Sequence, residues 1–345
     1  MKSSWWHRHP AGAANRLEAC ATKGGGHGGP PYLTFHHLWV GRRPMRNCLK
    51  RALTKTRKNE KAGKEITAIP DHHHLKEIAR QVRLDIVEML FRAGSGHLGG
   101  SLSATDILVA LFFGEMRAKP GDPCWLDRDR FILSKGHGAP AYYAVLARLG
   151  YFPREELLTL RQFGSILQGH PDSGCTPGVE IPTGSLGQGL SIANGLALAA
   201  RLNGHASRVY ALLGDGEVQE GQIWEAAMTA AHYGLDNLVA ILDRNLLQID
   251  GHTAEVMSIE PIADKWKAFG WHTLEVDGHD IGQLLTAFKA CQGVKGRPSM
   301  IIAHTVKGKG VSIFEGQKKY HGTTPNPEEY QQALQELGAI PGPPA

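Results

Sequence analysis

No stretch of this 345-residue chain holds 18 consecutive apolar residues, so nothing in it reads as a membrane-spanning helix. A signal-peptide core and C-x-x-C pairs are also missing; the five cysteines stand apart at 20, 48, 124, 175 and 291. An odd, scattered set gives no disulfide framework and fits a reduced, cytoplasmic setting. Cys175, five residues after His170, reads as a structural thiol. No internal repeat is visible. The chain also lacks a basic body. Its formal charge of +5 divides into 14 Lys+Arg against 3 Asp+Glu over residues 1–70, net +11, and 24 against 30 over 71–345, net −6. A basic tail on an acidic body is a weak footprint for nucleic acid, and none is expected as a partner.

Residues 1–70, with Gly24-Gly-Gly-His-Gly-Gly-Pro-Pro31 and Lys50-Arg-Ala-Leu-Thr-Lys-Thr-Arg-Lys58, have no sustained apolar period. They read as a disordered extension, either a targeting segment or an upstream stretch with initiation near Met45. The body, 71–345, is expected to form the folded domain. The whole chain is 42% hydrophobic, which allows a sizeable core.

Apolar residues recur at helical spacing from Leu75 through Ile78, Val82, Ile86, Met89 and Leu90, with Asp71 available as a cap. The pattern predicts a helix to about Arg92, delivering Gly94 to Ser101 as a loop. Further helices are expected over 105–113, 139–149, 187–202, 220–233, 261–269 and 280–292. Strands are expected at 130–133, 208–213, 238–242, 272–276 and 299–304. Such alternation predicts an α/β fold with a parallel β-sheet covered by helices on both faces.

Gly214-Asp215-Gly216 closes one of those strands, and Asp243-Arg-Asn245 closes the next. A carboxylate at a strand's C-terminal end, among glycines that let N–H groups approach an anion, suits a divalent metal bridged to a diphosphate. Asn245 would add a neutral oxygen. Taken singly, Asp215 would serve as a helix cap and Asn245 as a turn residue. Around them stand Asp215-Gly-Glu217-Val-Gln-Glu220-Gly-Gln-Ile-Trp-Glu225 and Leu247-Gln-Ile-Asp-Gly251. Four other segments keep a fixed order: Gly94-Ser-Gly-His97-Leu-Gly-Gly-Ser101, Phe131-Ile-Leu-Ser-Lys-Gly-His137-Gly138, Gln168-Gly-His170-Pro-Asp172 and Pro182-Thr-Gly184-Ser-Leu186-Gly-Gln-Gly-Leu190.

In these motifs, spread over about 85 to 325, the chain resembles the transketolase family, specifically the diphosphate-binding half of its thiamine-diphosphate-binding fold. What the resemblance implies is an N-terminal subunit of a split transketolase in carbohydrate metabolism, at the pentose phosphate pathway. Such a subunit moves a two-carbon ketol unit between sugar phosphates once a C-terminal transketolase subunit completes it. A heterotetramer of two plus two chains follows. The implied cofactors are thiamine diphosphate and Mg²⁺, with Ca²⁺ or Mn²⁺ as substitutes. Asp215, Asn245 and the Leu247 carbonyl are the expected metal ligands; His137, Gly184, Leu186, Gly214, Gly216, Glu217 and Glu225 are expected against the cofactor. His97, His137, His170 and, on a less distinctive segment, His321 are the expected acid-base groups, with Glu220 as a proton relay at the interface. Glu220 and Glu225 also fit as ordinary acids of a helix's first turns. The motif departs from many relatives at Leu98, where they carry proline.

Lys307 and Lys309 are candidates either to approach a phosphate or to stay solvated. His72-His73-His74 are expected in solvent, because adjacent helical residues share no face. Related readings are a subunit of a 2-oxoacid-dehydrogenase-like or deoxyxylulose-phosphate-synthase-like enzyme, or a non-catalytic cofactor-binding regulatory protein.

Overall fold

The computed structural model describes residues 71–123 and 125–339; the readings made for residues 1–70 lie outside them. Five parallel strands, β1 (Arg130–Leu133), β2 (Val209–Gly214), β3 (Leu238–Arg244), β4 (His272–Asp277) and β5 (Ser299–His304), make one sheet in the order β1-β2-β3-β5-β4. The central strands are apolar along most of their length, so alternate residues feed two separate cores. Phe131, Leu133, Tyr210, Leu212, Val239, Ile241 and Ile301 pack on one face. Ile132, Val209, Ala211, Leu213, Ala240, Leu242 and Ile302 pack on the other.

The first face is covered by α1 (His72–Ala93), α2 (Leu98–Ser103), α3 (Thr105–Ala110), α4 (Ala139–Leu149) and α9 (Ile281–Gly293). The second is covered by α5 (Gln188–Leu202), α6 (Gly221–His232) and α8 (Ile262–Ala268), where Trp266 is fully buried. A short α7 (Thr253–Val256) follows β3, and α10 (Pro327–Glu336) packs on α1.

Three local expectations differ. The segment 94–101 is a loop only up to His97; Leu98 to Ser103 coil into α2, whose six residues are all buried. There, a Cβ on Gly99 would meet Lys307 at 2.9 Å and the Tyr320 carbonyl at 3.0 Å, so the helix needs glycine at this position. Asp71 precedes α1 without a side-chain cap hydrogen bond. The helix expected over 105–113 is α-helical only to Ala110, then widens into a π turn, Leu111–Glu115. The helix α10 was not anticipated, although Asn326 and Glu329 form a capping box at its start. His72, His73 and His74 are exposed.

All strands run the same way, so the segments leaving β1, β2, β3 and β5 emerge at one edge of the sheet. That edge is where open α/β sheets bind ligands.

Candidate active site

At that edge lies a cavity of about 230 Å³. His97 and Gly100 enter it from the start of α2, Lys135 and His137 from the turn after β1, and Gly184 and Leu186 from the loop before α5. Gly214, Asp215, Gly216 and Glu217 come from the end of β2, Asn245, Leu247, Gln248 and Ile249 from the end of β3, and Lys307 from the end of β5. His170 and His321 complete the wall. Two glycines allow this closeness. A Cβ on Gly136 would sit 2.7 Å from the Gly184 nitrogen, and one on Gly184, at φ +150°, would meet the His170 ring at 3.1 Å.

The four histidine rings form a cluster. His97 lies 5.2 Å from His137, 6.2 Å from His170 and 5.6 Å from His321 between ring centroids, and His137 lies 5.3 Å from His321. Burial, reinforced by the positive charges of Arg161 and Lys307, pushes His97 down to about 4. His321 falls to about 3 by burial beside Lys307. Burial and Lys135 hold His137 well below the usual imidazole range, and burial with Arg161 lowers His170. All four are therefore neutral near pH 7, each offering one donor and one acceptor nitrogen. The His97 Nδ1 is buried with no partner.

Asp215 lines the same cavity and is 2% exposed, with Oδ1 accepting from the Gly216 N–H at 2.8 Å. Its Oδ2 is buried and unpartnered. Burial, and secondarily the nearby Asp243 charge, pushes its carboxyl up to about 6. An orphaned buried carboxylate oxygen is the state that a cation relieves. The other expected oxygens are close at hand: Asn245 Oδ1 accepts from the Leu247 N–H at 3.2 Å, and the Leu247 carbonyl accepts from Lys307 Nζ at 3.1 Å. Among the described residues no three His, Cys, Asp or Glu side chains form a metal cluster, so a metal here would be held by one carboxylate and neutral oxygens. That donor set suits a hard, oxygen-seeking ion and leaves charge for a diphosphate to balance. Lys307 Nζ also donates to His321 Nδ1 at 2.8 Å, and burial draws its ammonium down to about 8. Lys309 instead pairs with Glu315 at 3.4 Å at the surface.

Glu217 lines the cavity, but its carboxylate is engaged elsewhere. Oε1 accepts from the Ser134 hydroxyl and the Gly187 N–H, and Oε2 from the Gly214 N–H. It staples three loops together at the cavity wall. Glu220 and Glu225 are not brought into the cavity: Glu220 is the residue before α6, Glu225 lies one turn in, and both are exposed.

Beneath the cavity is a buried pair that the motifs did not single out. Lys135 Nζ bonds the Asp243 carboxylate and the Gly100 carbonyl, while Ser103 and Thr305 donate to the same carboxylate. Asp243 is fully buried and Lys135 only 1% exposed. Lys135 lies within the 131–138 motif and Asp243 within 243–245, so both were in view as letters. Their pairing, 108 positions apart, was not.

Residues 73–344 match the family model described as "Transketolase, thiamine diphosphate binding domain". The chain is 46% identical over 267 residues to a 6-deoxy-6-sulfo-D-fructose transketolase subunit of a Clostridium species, covering 77% of this chain and 96% of that one. It is 47% identical over 255 residues to an apulose-4-phosphate transketolase subunit of Phocaeicola vulgatus, covering 74% and 90%. Human transketolase is 42% identical over 267 residues, but only 42% of its length is covered. Among solved structures, a Pichia stipitis transketolase in complex with sedoheptulose 7-phosphate superimposes with a TM-score of 0.74 at 34% identity, covering 78% of this chain and 41% of that one. The chain thus spans about two fifths of the single-chain transketolases it matches and nearly all of the relatives named as subunits.

Proposed function

Because this chain belongs to the transketolase family and carries its thiamine diphosphate binding domain, we propose that it is one half of a split enzyme transferring a two-carbon ketol unit from a ketose phosphate to an aldose phosphate. The observation that carries this reading is the set of groups the cavity brings together. An orphaned carboxylate and a buried lysine line the same space as four neutral imidazoles, the lysine in contact with one of them.

In this reading Asp215, Asn245 and the Leu247 carbonyl hold Mg²⁺, for which Ca²⁺ or Mn²⁺ can substitute, and Lys307 adds positive charge at the diphosphate end. When bound, thiamine diphosphate supplies a nucleophilic carbon able to add to a ketone and release an aldehyde. The chain's own residues do the rest. Gly184, Leu186 and Gly216 border the cofactor's space. His97, His137 and His170 donate to and accept from sugar hydroxyls without changing their charge, and His321, linked to Lys307, moves protons at the same wall.

The partner is a C-terminal subunit. Its support is the length of the relatives named as subunits and an apolar segment in which Leu246, Ile249, Val256 and Met257 are exposed, Ile249 lining the cavity as well. Glu220 and Glu225, both exposed, belong to the interface in this reading, and two such chains with two partners make a closed heterotetramer. Among the described residues no helix is long and apolar enough to cross a membrane, and we place the enzyme in the cytoplasm on its cysteine usage. The test is ketol transfer from xylulose 5-phosphate to ribose 5-phosphate with Mg²⁺ and thiamine diphosphate, using this chain alone and with its candidate partner. Apulose 4-phosphate and 6-deoxy-6-sulfofructose serve as additional donors. Activity only in the mixture is expected; no activity with any donor, in a complex that binds cofactor, overturns ketol transfer.

A further inference from the structure

Lys307 is 2% exposed, yet its backbone belongs to a loop with no regular structure. What aims its ammonium into the cavity lies outside the cavity. Asp106, in the first turn of α3 and 6% exposed, receives two groups at once. Arg83 of α1 donates through Nη1 to Oδ1, at 3.1 Å, and through Nη2 to Oδ2, and His279 meets Oδ2 through Nδ1 at 2.8 Å. The far nitrogen of His279, Nε2, lies 2.8 Å from the Val306 N–H. A backbone N–H can only donate, so Nε2 accepts, the ring proton is on Nδ1, and Nδ1 donates to Asp106. Arg83 uses its remaining edge in the same way, Nε donating to the Lys309 carbonyl at 3.0 Å. One carboxylate thus orients two side chains that grip the backbone on either side of Lys307.

We propose that Asp106, Arg83 and His279 form a clamp whose function is to position Lys307, and that His279 thereby sets the affinity for thiamine diphosphate without touching it. The inference rests on the cavity being the cofactor site. It gives a task to a buried charged cluster that the cavity's own residues leave unexplained. A cheaper core would have used apolar groups, since buried ion pairs often add little stability over a hydrophobic replacement. A clamp for one loop requires directional bonds, which apolar packing does not supply. His279 is a positioning residue, and its effect must pass through Lys307.

The experiment is a double-mutant cycle on the full chain, with thiamine diphosphate affinity measured calorimetrically in Mg²⁺ and folding checked by circular dichroism. His279→Asn keeps an amide where Nδ1 meets Asp106 but has nothing to accept from Val306. His279→Gln carries a carbonyl to the Nε2 position. We expect His279→Asn to weaken binding on the order of 10-fold or more, as losses of groups that orient a ligand-holding residue do, and His279→Gln to recover most of it. In a Lys307→Met background the His279→Asn effect should shrink to within about twofold, the scatter of independent sites. Equal losses in both backgrounds, or wild-type affinity in His279→Asn, overturn the clamp. A wild-type chain that binds no cofactor in the assembled complex fails at the earlier step and removes the cofactor reading itself.

Discussion

Replacing Asp215 with asparagine should make the metal-free protein more stable while destroying its response to cofactor. Asp215 is buried, one of its oxygens has no partner, and Asp243 adds like charge nearby. Its carboxyl stands at about 6 against an ordinary 3.8. At 1.36 kcal/mol per pH unit that difference corresponds to about 3 kcal/mol. A raised carboxyl favours the folded state only while it is protonated. Its contribution is full below about 3.8 and is lost as pH rises through about 6, so the chain at pH 7.5 carries the whole penalty. Asparagine keeps an oxygen for the Gly216 N–H and introduces no charge. Urea unfolding in a chelator should therefore show Asp215→Asn more stable by about 3 kcal/mol at pH 7.5, with the gap closing near pH 4. Adding Mg²⁺ and thiamine diphosphate at about 100 times the dissociation constant should raise wild type by about 2.7 kcal/mol and leave the variant unmoved. A metal-free Asp215→Asn that is less stable than wild type at pH 7.5 would refute the assignment of strain to this carboxylate. An equal ligand response would refute its role in holding the metal.

The remaining expectations concern the surrounding framework. Glu217→Ala should cost about 2–4 kcal/mol in urea unfolding, because the Gly187 and Gly214 N–H groups lose their buried acceptor; a neutral result would show that water replaces the carboxylate. Lys135→Met should cost about 3–5 kcal/mol by stranding Asp243, and adding Asp243→Asn should return part of that loss. In the metal-free chain, NMR titration should place His97 near 4 and His321 near 3. Since both lie below the unfolded value of 6.5, their stabilising contribution is present above pH 6.5 and declines as pH falls toward those values. His97→Asn should accordingly soften acid unfolding, and a His97 titrating near 6.5 would contradict the buried cluster.

Local pattern was enough to locate all five strands within a residue or two and to order the motifs along the sheet edge, because strand and helix periods are written in consecutive residues. His97, His137, His170 and His321 were named from motif letters, and the chain's topology brings them into one cavity. Other features lay beyond such reading. Glu217 shows in the sequence only as a motif letter; that it staples Ser134, Gly187 and Gly214 together emerges only from the folded distances. The segment 94–101 looks like a glycine loop by propensity, yet its second half is helical, with Lys307 and Tyr320 packed so close to Gly99 that a side chain there would clash. Lys135 with Asp243, and His279 with Asp106 and Val306, join positions 27 to 173 residues apart. The sequence by itself determined the family, the alternation of elements and which residues reach the sheet edge, since those follow from local chemistry repeated at a period. Tertiary structure alone decided which of those residues are neutral, which are orphaned and which are held in place, since burial and long-range pairing arise only when distant segments close on one another.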